Sequence, residues 1–315
     1  MPARSQHLRT GGQHPIKTIR TDVLEIAFEE GGPDNGRPVL LLHGWPDAPS
    51  GWWGIAPQLH VAGWRTIAPY LRGSGPTRFL SHKTPRVGAG VALAQDAVDL
   101  ADRLALDRFA IVGHDWGARA AYTVAALFPE RVTSVTALSL PFQPQGIFTI
   151  PSFDQARRFW YQWFLCVDGG AAKVQANPVE FARIQWETWS PPGWFTAMEF
   201  AKAAESFSNP DWALITRNAY RSRWREGEAW DSRYDPLQRQ LHEVEAIATS
   251  TLMIQGASDY CDPPSLSEGL ERHFRGRYER VLLDAVGHFP HREAPAAVAT
   301  AVLRHLRSGD DGSDI

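Results

Sequence analysis

Apolar positions fall into two rhythms along this chain. Short apolar runs at 23–30 (VLEIAFEE), 37–44 (RPVLLLHG), 64–70 (WRTIAPY), 108–113 (RFAIVG) and 131–140 (RVTSVTALSL) read as strands. Between them, apolar residues recur at three and four over 90–106 (GVALAQDAVDLADRLAL), and again in the stretch from Trp116 that Pro129 ends, which predicts helices. The alternation resumes near the C-terminus. STLMIQG (250–256) and RYERVLLDA (277–285) read as strands, and APAAVATAVLRHLRSG as a closing helix. Continuous apolar strands separated by helices predict an α/β protein whose mostly parallel central sheet is flanked by helices on both faces.

The texture changes over 142–245. Apolar strands are missing, charges and prolines are frequent, and Trp160, Trp163, Trp186, Trp189, Trp194, Trp212, Trp224 and Trp230 make up eight of the chain's 13 tryptophans. This reads as a mainly helical insertion over the sheet. Most of these tryptophans are expected to join helices, and a few to line an apolar cavity beneath. The 315 residues then divide into a core, 1–141 with 246–315, and a cap, 142–245. The first fifteen residues and the tail RSGDDGSDI are polar and expected to be loosely ordered.

Charge and cysteine content narrow the function classes. A formal net charge of −3 carries no basic signature of nucleic-acid or membrane-surface binding. No apolar stretch approaches the length of a membrane span, and the N-terminus lacks the apolar run of a secretory signal. Cys166 and Cys261 form neither a disulfide framework nor metal spacing, which fits a cytoplasmic protein without a metal.

The chemistry concentrates in three loops. In IVGHDWGARAAY (111–122), Gly113 and Gly117 stand two residues either side of Asp115, the spacing of a nucleophile elbow with Asp in place of Ser; His114 and Trp116 complete the GHDWG motif. Taken alone, the same Asp could simply cap a helix. His43-Gly44-Trp45-Pro46 follows a predicted strand, and its loop can aim the Trp45 N–H at the centre. With the N–H of Trp116 this makes an oxyanion hole. VGHFPHREAP supplies His288 as a general base, with His291 outside the pattern. GASDYCDPPS offers two acids. Asp259, nearer the strand end, is expected to orient His288, and Asp262 is the other option.

Taken together, GHDWG, HGWP, the late acid and VGHF resemble the α/β-hydrolase fold, and Asp with HGxP resembles its soluble epoxide-hydrolase branch. The resemblance implies a helical cap inserted after the sixth strand, and two cap tyrosines that bind the epoxide oxygen. FWYQWF matches one at Tyr161 and NAYRSRW the other at Tyr220. Two features depart from the family: Tyr70 stands where Asp is frequent, and LCVDGGAAKV lacks a usual Pro-Gly.

A carboxylate attacking an ester would give a reactive anhydride. Attack at saturated carbon gives an ordinary alkyl ester, so Asp115 points to opening of a strained ring or displacement of a halide. The expected reaction takes a small apolar or aromatic epoxide and water to a vicinal diol, with no cofactor and no metal, in a monomer or homodimer. Two rivals stay open. One is a dehalogenase using the Trp116 indole as halide donor; fluoroacetate dehalogenases resemble this turn but carry Arg where Trp116 stands, although Arg119 remains. The other is a non-catalytic binder of small molecules on the same fold. Arg183, Arg221, Arg223 and Arg225 are expected to form a solvated face with Glu180, Glu187, Glu226 and Glu228, rather than to contact an acidic substrate.

Overall fold

The computed structural model describes residues 15–308, so both expected loose ends lie almost wholly outside the described residues. Nine strands form one sheet: β1 (Ile16–Arg20), β2 (Leu24–Gly31), β3 (Arg37–Leu42), β4 (Trp64–Pro69), β5 (Arg78–Phe79), β6 (Phe109–His114), β7 (Val132–Leu138), β8 (Thr251–Gly256) and β9 (Tyr278–Leu283). Their order is β1-β2-β4-β3-β6-β7-β8-β9, with β5 on β2. β4, β3 and β6 through β9 run parallel, while β1, β4 and β5 pair with β2 antiparallel.

Side chains alternate across the sheet, and the parallel strands bury both sets. Val39 and Leu41, Ala110 and Val112, and Leu252 and Ile254 pack with Leu59, Val298 and Val302 on one face. Leu40 and Leu42, Ile111 and Met253 pack on the other with Leu93, Leu100, Ala121 and Val124. The first face is covered by the helices Ala56–Val61 and Pro295–Ser308, the second by Gly90–Arg103 and Trp116–Leu127.

Two strands have no apolar signature. β1 (IKTIR) is an exposed edge, held by ladder pairing and by Lys17 and Arg20 on Glu30 and Glu25. β5 has only two residues. Because β5 counts as a strand, the cap leaves the sheet after the seventh strand, or the sixth if β5 is set aside.

Between β7 and β8 the described chain is helical, including Trp160–Cys166, Pro178–Thr188, Ala197–Ala204 and Trp212–Arg221. The local reasons are readable. Pro178 opens one helix, and Thr196 with Glu199 forms a capping box on another. Trp186, Phe200, Phe207, Trp212 and Tyr220 are buried from this layer. No described helix is long and apolar enough to cross a membrane.

Candidate active site

β6 runs directly into the turn at Asp115. The residue adopts φ +48° and ψ −112°, which a side chain rarely adopts and which costs about 1–3 kcal/mol. The flanking glycines make the turn possible sterically. A Cβ on Gly113 would sit 2.1 Å from the Gly117 carbonyl oxygen, and one on Gly117 2.1 Å from that of Leu42. Gly44 is equally confined, since its Cβ would lie 2.7 Å from that of Asp115. The Asp115 side chain does not cap the helix that follows. Instead its Oδ1 accepts the Trp45 N–H at 2.9 Å, across the cis Trp45–Pro46 loop. The Trp116 N–H belongs to the first helical turn, where no intrahelical acceptor exists.

His288 stands opposite. Its Nδ1 donates to Asp259 Oδ2 at 2.8 Å, and its Nε2 lies 3.7 Å from Asp115 Oδ2 without a hydrogen-bond partner. Asp259 is saturated: Oδ1 accepts the N–H groups of Cys261 and Asp262, and Oδ2 also accepts Gln255 Nε2. Asp262 makes no bond to the imidazole. It lines the cavity instead, and burial together with the Asp259 charge pushes its carboxyl up to about 7. For His288, burial disfavours the cation, but Asp259 and Asp115 outweigh it and raise the imidazole well above its ordinary value.

The His288 loop is clamped from several directions. The His288 N–H donates to Ser190 Oγ of the cap, and Ser190 Oγ donates to Glu293. Glu293 also accepts the N–H groups of Gly287 and Phe289. The His288 carbonyl accepts His114 Nε2 and Ser139 Oγ. His43 plays a similar supporting part: Nε2 accepts the Leu71 N–H, so the ring proton is on Nδ1 and donates to the Gly44 carbonyl.

Tyr161 and Tyr220 are buried in the cap with ring centroids 5.1 Å apart, and both pack against the Trp45 indole. Burial raises both phenols well above their ordinary range, so both stay protonated. Their hydrogen bonds also fix direction. Trp116 Nε1, which can only donate, gives its proton to Tyr220 Oη at 3.1 Å. Trp224 Nε1 likewise donates to Gln162 Oε1, which leaves the Gln162 amide to donate to Tyr161 Oη at 3.0 Å. Each phenol therefore accepts from the protein; the Tyr220 proton is left for a ligand, while Tyr161 Oη also lies 3.7 Å from Cys261 Sγ, a contact in which either atom can donate. A cavity of about 710 Å³ is lined by Asp115, Tyr161, Tyr220, Asp262, Phe148 and Arg119.

The sequence reading missed Ser190, Glu293, Gln255 and Trp224. They act through contacts between distant segments, and no local motif marks them. Gln162 was visible within YQ, but its partner was not. The cap arginines need correction. Arg183 and Arg225 do face Glu187 and Glu228. Arg221 does lie 3.7 Å from Glu228, but it is buried rather than solvated, and it also pairs with Asp168 and is held on the Leu165 carbonyl, because its helix packs inward there. Arg223 enters the cavity wall.

Two clusters bring potential metal donors within 4.8 Å of one another, Asp47-His114-His291 and Cys261-Asp262-His288. In the first, Asp47 is occupied by Arg292 and His291, and His114 Nε2 by the His288 carbonyl. In the second, His288 Nδ1 is committed to Asp259. His114 Nδ1, His291 Nδ1 and His288 Nε2 have no hydrogen-bond partner.

The sequence profile of a family described as alpha/beta hydrolase fold matches residues 37–295. Epoxide hydrolase A of Mycobacterium tuberculosis is 26% identical, over 92% of this chain and 96% of that protein. A crystal structure from Klebsiella pneumoniae subsp. pneumoniae, described provisionally as an epoxide hydrolase, is 37% identical with TM-score 0.86; the match covers 93% of this chain and 97% of that one. Epoxide Hydrolase A from Mycobacterium thermoresistibile shares the fold at TM-score 0.74 and 24% identity, over 94% and 98% of the two chains.

Proposed function

Because the chain belongs to the alpha/beta hydrolase fold family, we propose that it hydrolyses an epoxide to a vicinal diol through an alkyl ester on Asp115. The observation that carries this reading is the pair of buried, protonated phenols lining one cavity with Asp115, each accepting from a donor and the Tyr220 proton uncommitted. The relatives named as epoxide hydrolases support it.

Asp115 Oδ2, the oxygen not held by the Trp45 N–H, attacks a ring carbon. The carbon–oxygen bond breaks, and its electron pair goes to the epoxide oxygen, which takes a proton from Tyr161 or Tyr220. Ester formation removes the Asp115 charge. One of the two carboxylates that favour the His288 cation is then gone, and the neutral imidazole, the form that can accept a proton, is favoured when a base is needed. His288 Nε2 takes a proton from water, and the hydroxide adds to the carboxyl carbon of the ester. The N–H groups of Trp45 and Trp116 hold the oxyanion. Collapse expels the diol alkoxide, which takes the proton of the new Asp115 carboxyl. The proton on His288 returns to the phenolate. Asp259 keeps the imidazole oriented throughout.

The dehalogenase alternative needs the Trp116 indole N–H for halide, and here that N–H is given to Tyr220. The cytoplasmic location inferred from sequence is supported by two cysteines that remain free.

Intact-protein mass spectrometry of His288→Gln tests the mechanism. Aryl and alkyl epoxides should add their whole mass, and the adduct should vanish in a further Asp115→Asn change. Adducts from bromoalkanes alone, lacking the halogen, would replace this reading with dehalogenation.

A further inference from the structure

Most arginines withdrawn from solvent follow one rule; Arg217, whose Nε is buried without a hydrogen-bond partner, does not, and it lies outside the cavity lining. Arg72, Arg86, Arg221 and Arg292 each grip a carboxylate, at 2.6, 2.9, 2.7 and 2.6 Å respectively. Arg119 and Arg223 do not. Among the described residues neither has an acidic partner within ion-pair distance, yet both line the cavity that holds Asp115, Tyr161 and Tyr220. Arg119 donates to Gln143 Oε1, and its Nε is buried with no partner. No hydrogen bond holds the Arg223 guanidinium; it stacks 4.5 Å from the Phe148 and Tyr220 ring centroids. Arg119 stacks on the same Phe148 ring at 4.6 Å.

Two cations therefore share one aromatic ring beside the reaction centre, and each still has donors to give. Burial, and next the charge of Arg223, lower the Arg119 guanidinium to about 9, a sign that its charge is poorly compensated. A planar oxyanion between the two would satisfy the free donors in the fork geometry arginine favours and relieve the repulsion. Arg119 follows Asp115 by one helical turn, about 6 Å along the axis, so the anion would lie close to the reacting ring.

We propose that Arg119 and Arg223 form a carboxylate subsite, and that the substrate is an epoxide bearing a carboxylic acid within the same cavity. This rests on the epoxide reading for the reaction, but the subsite is testable without it. It also revises the substrate expected from sequence, a small apolar or aromatic epoxide, by adding an anionic end. Phe148 sets the two guanidiniums side by side, and the adjoining chamber of about 430 Å³ shares the wall of Arg119, Phe142, Gln143, Phe148 and Arg223.

Calorimetry on the intact protein would compare saturated straight-chain and phenyl-substituted carboxylates with their primary amides, which lack the charge at nearly the same shape. The carboxylates should bind about 10- to 100-fold more tightly, in line with a charge-assisted hydrogen bond. That preference should fall about tenfold or more in Arg223→Gln and in Arg119→Gln, and persist in Arg183→Gln, whose guanidinium faces Glu187. Equal affinity of acids and amides for the wild-type protein would overturn the subsite, whether or not the variants fold. In parallel, kcat/KM would be measured for an epoxy acid and its methyl ester. Turnover of both without preference keeps the epoxide reading and removes the subsite. Tight acid binding with neither epoxide turned over keeps the subsite and removes that reading.

Discussion

His288 pairs with Asp259 and His291 with Asp47, at 2.8 and 2.9 Å, and all four side chains are buried. The two histidines are neighbours in sequence and both rings pack against His114, yet their surroundings differ. His288 gives Nδ1 to its carboxylate and leaves Nε2 unbonded toward Asp115, so it sits between two negative groups. His291 gives Nε2 to Asp47, a carboxylate already taken by Arg292 and by the Ala48 N–H. The imidazole rises in the first pair. In the second, burial dominates and lowers it, with Arg292 adding to the effect. A histidine–aspartate contact therefore says little about function. What separates the pairs is the second nitrogen and the charge already spent on the carboxylate.

Exchanging glutamine at the two positions should break the comparison most sharply. His288→Gln should slow ester hydrolysis about a thousandfold in single-turnover mass spectrometry. His291→Gln should stay within a few-fold of wild type, with its cost appearing in thermal stability. Comparable losses at both positions would remove the distinction. Next in size, Asp47→Ala strands Arg292 in the interior and should lower stability by about 3–5 kcal/mol, read from denaturant midpoints. Tyr161→Phe should slow ring opening about 10- to 100-fold while leaving ester hydrolysis nearly unchanged, since only the first step uses its proton.

The smallest effect is a pH dependence of stability. His43, His114 and His291 are buried with lowered pKa values, that of His43 at about 4. Below pH 6.5 the unfolded chain takes protons that these folded rings refuse. Stability should thus fall with acidification, for His43 across the window from 6.5 to about 4. His288 works in the opposite sense: its raised pKa stabilises the fold at low pH, and that contribution is lost as pH rises through the folded value. A melting temperature that climbs as the pH is lowered towards 6.5 would report the His288 contribution, and one that then falls between 6.5 and about 4 would report His43.

The parallel strands were legible because burial on both faces leaves an unbroken apolar run, as in Phe109–His114 and Thr251–Gly256. β1 was not, because an exposed edge needs only backbone pairing and its side chains carry no stripe. The motif-bearing loops were legible from Gly113, Gly117 and Gly44, whose small size is dictated by close backbone approach. The support for the site was hidden. Trp224 reaches Gln162 across 62 residues of sequence and Ser190 reaches His288 across 98, and such contacts have no period or spacing. The cap arginines were read from composition, which cannot distinguish a solvated guanidinium from one drawn into a cavity.

The bond from the His288 N–H to Ser190 joins the proposed base to the helical layer above it. Anyone grafting a foreign cap onto this core to change its substrate range would cut that tie, even with every core residue intact. A chimera with an alanine at the equivalent place should hold its histidine loosely and fail for reasons unrelated to substrate fit. Restoring a single hydroxyl at the graft junction is therefore the first repair to try in such a hybrid.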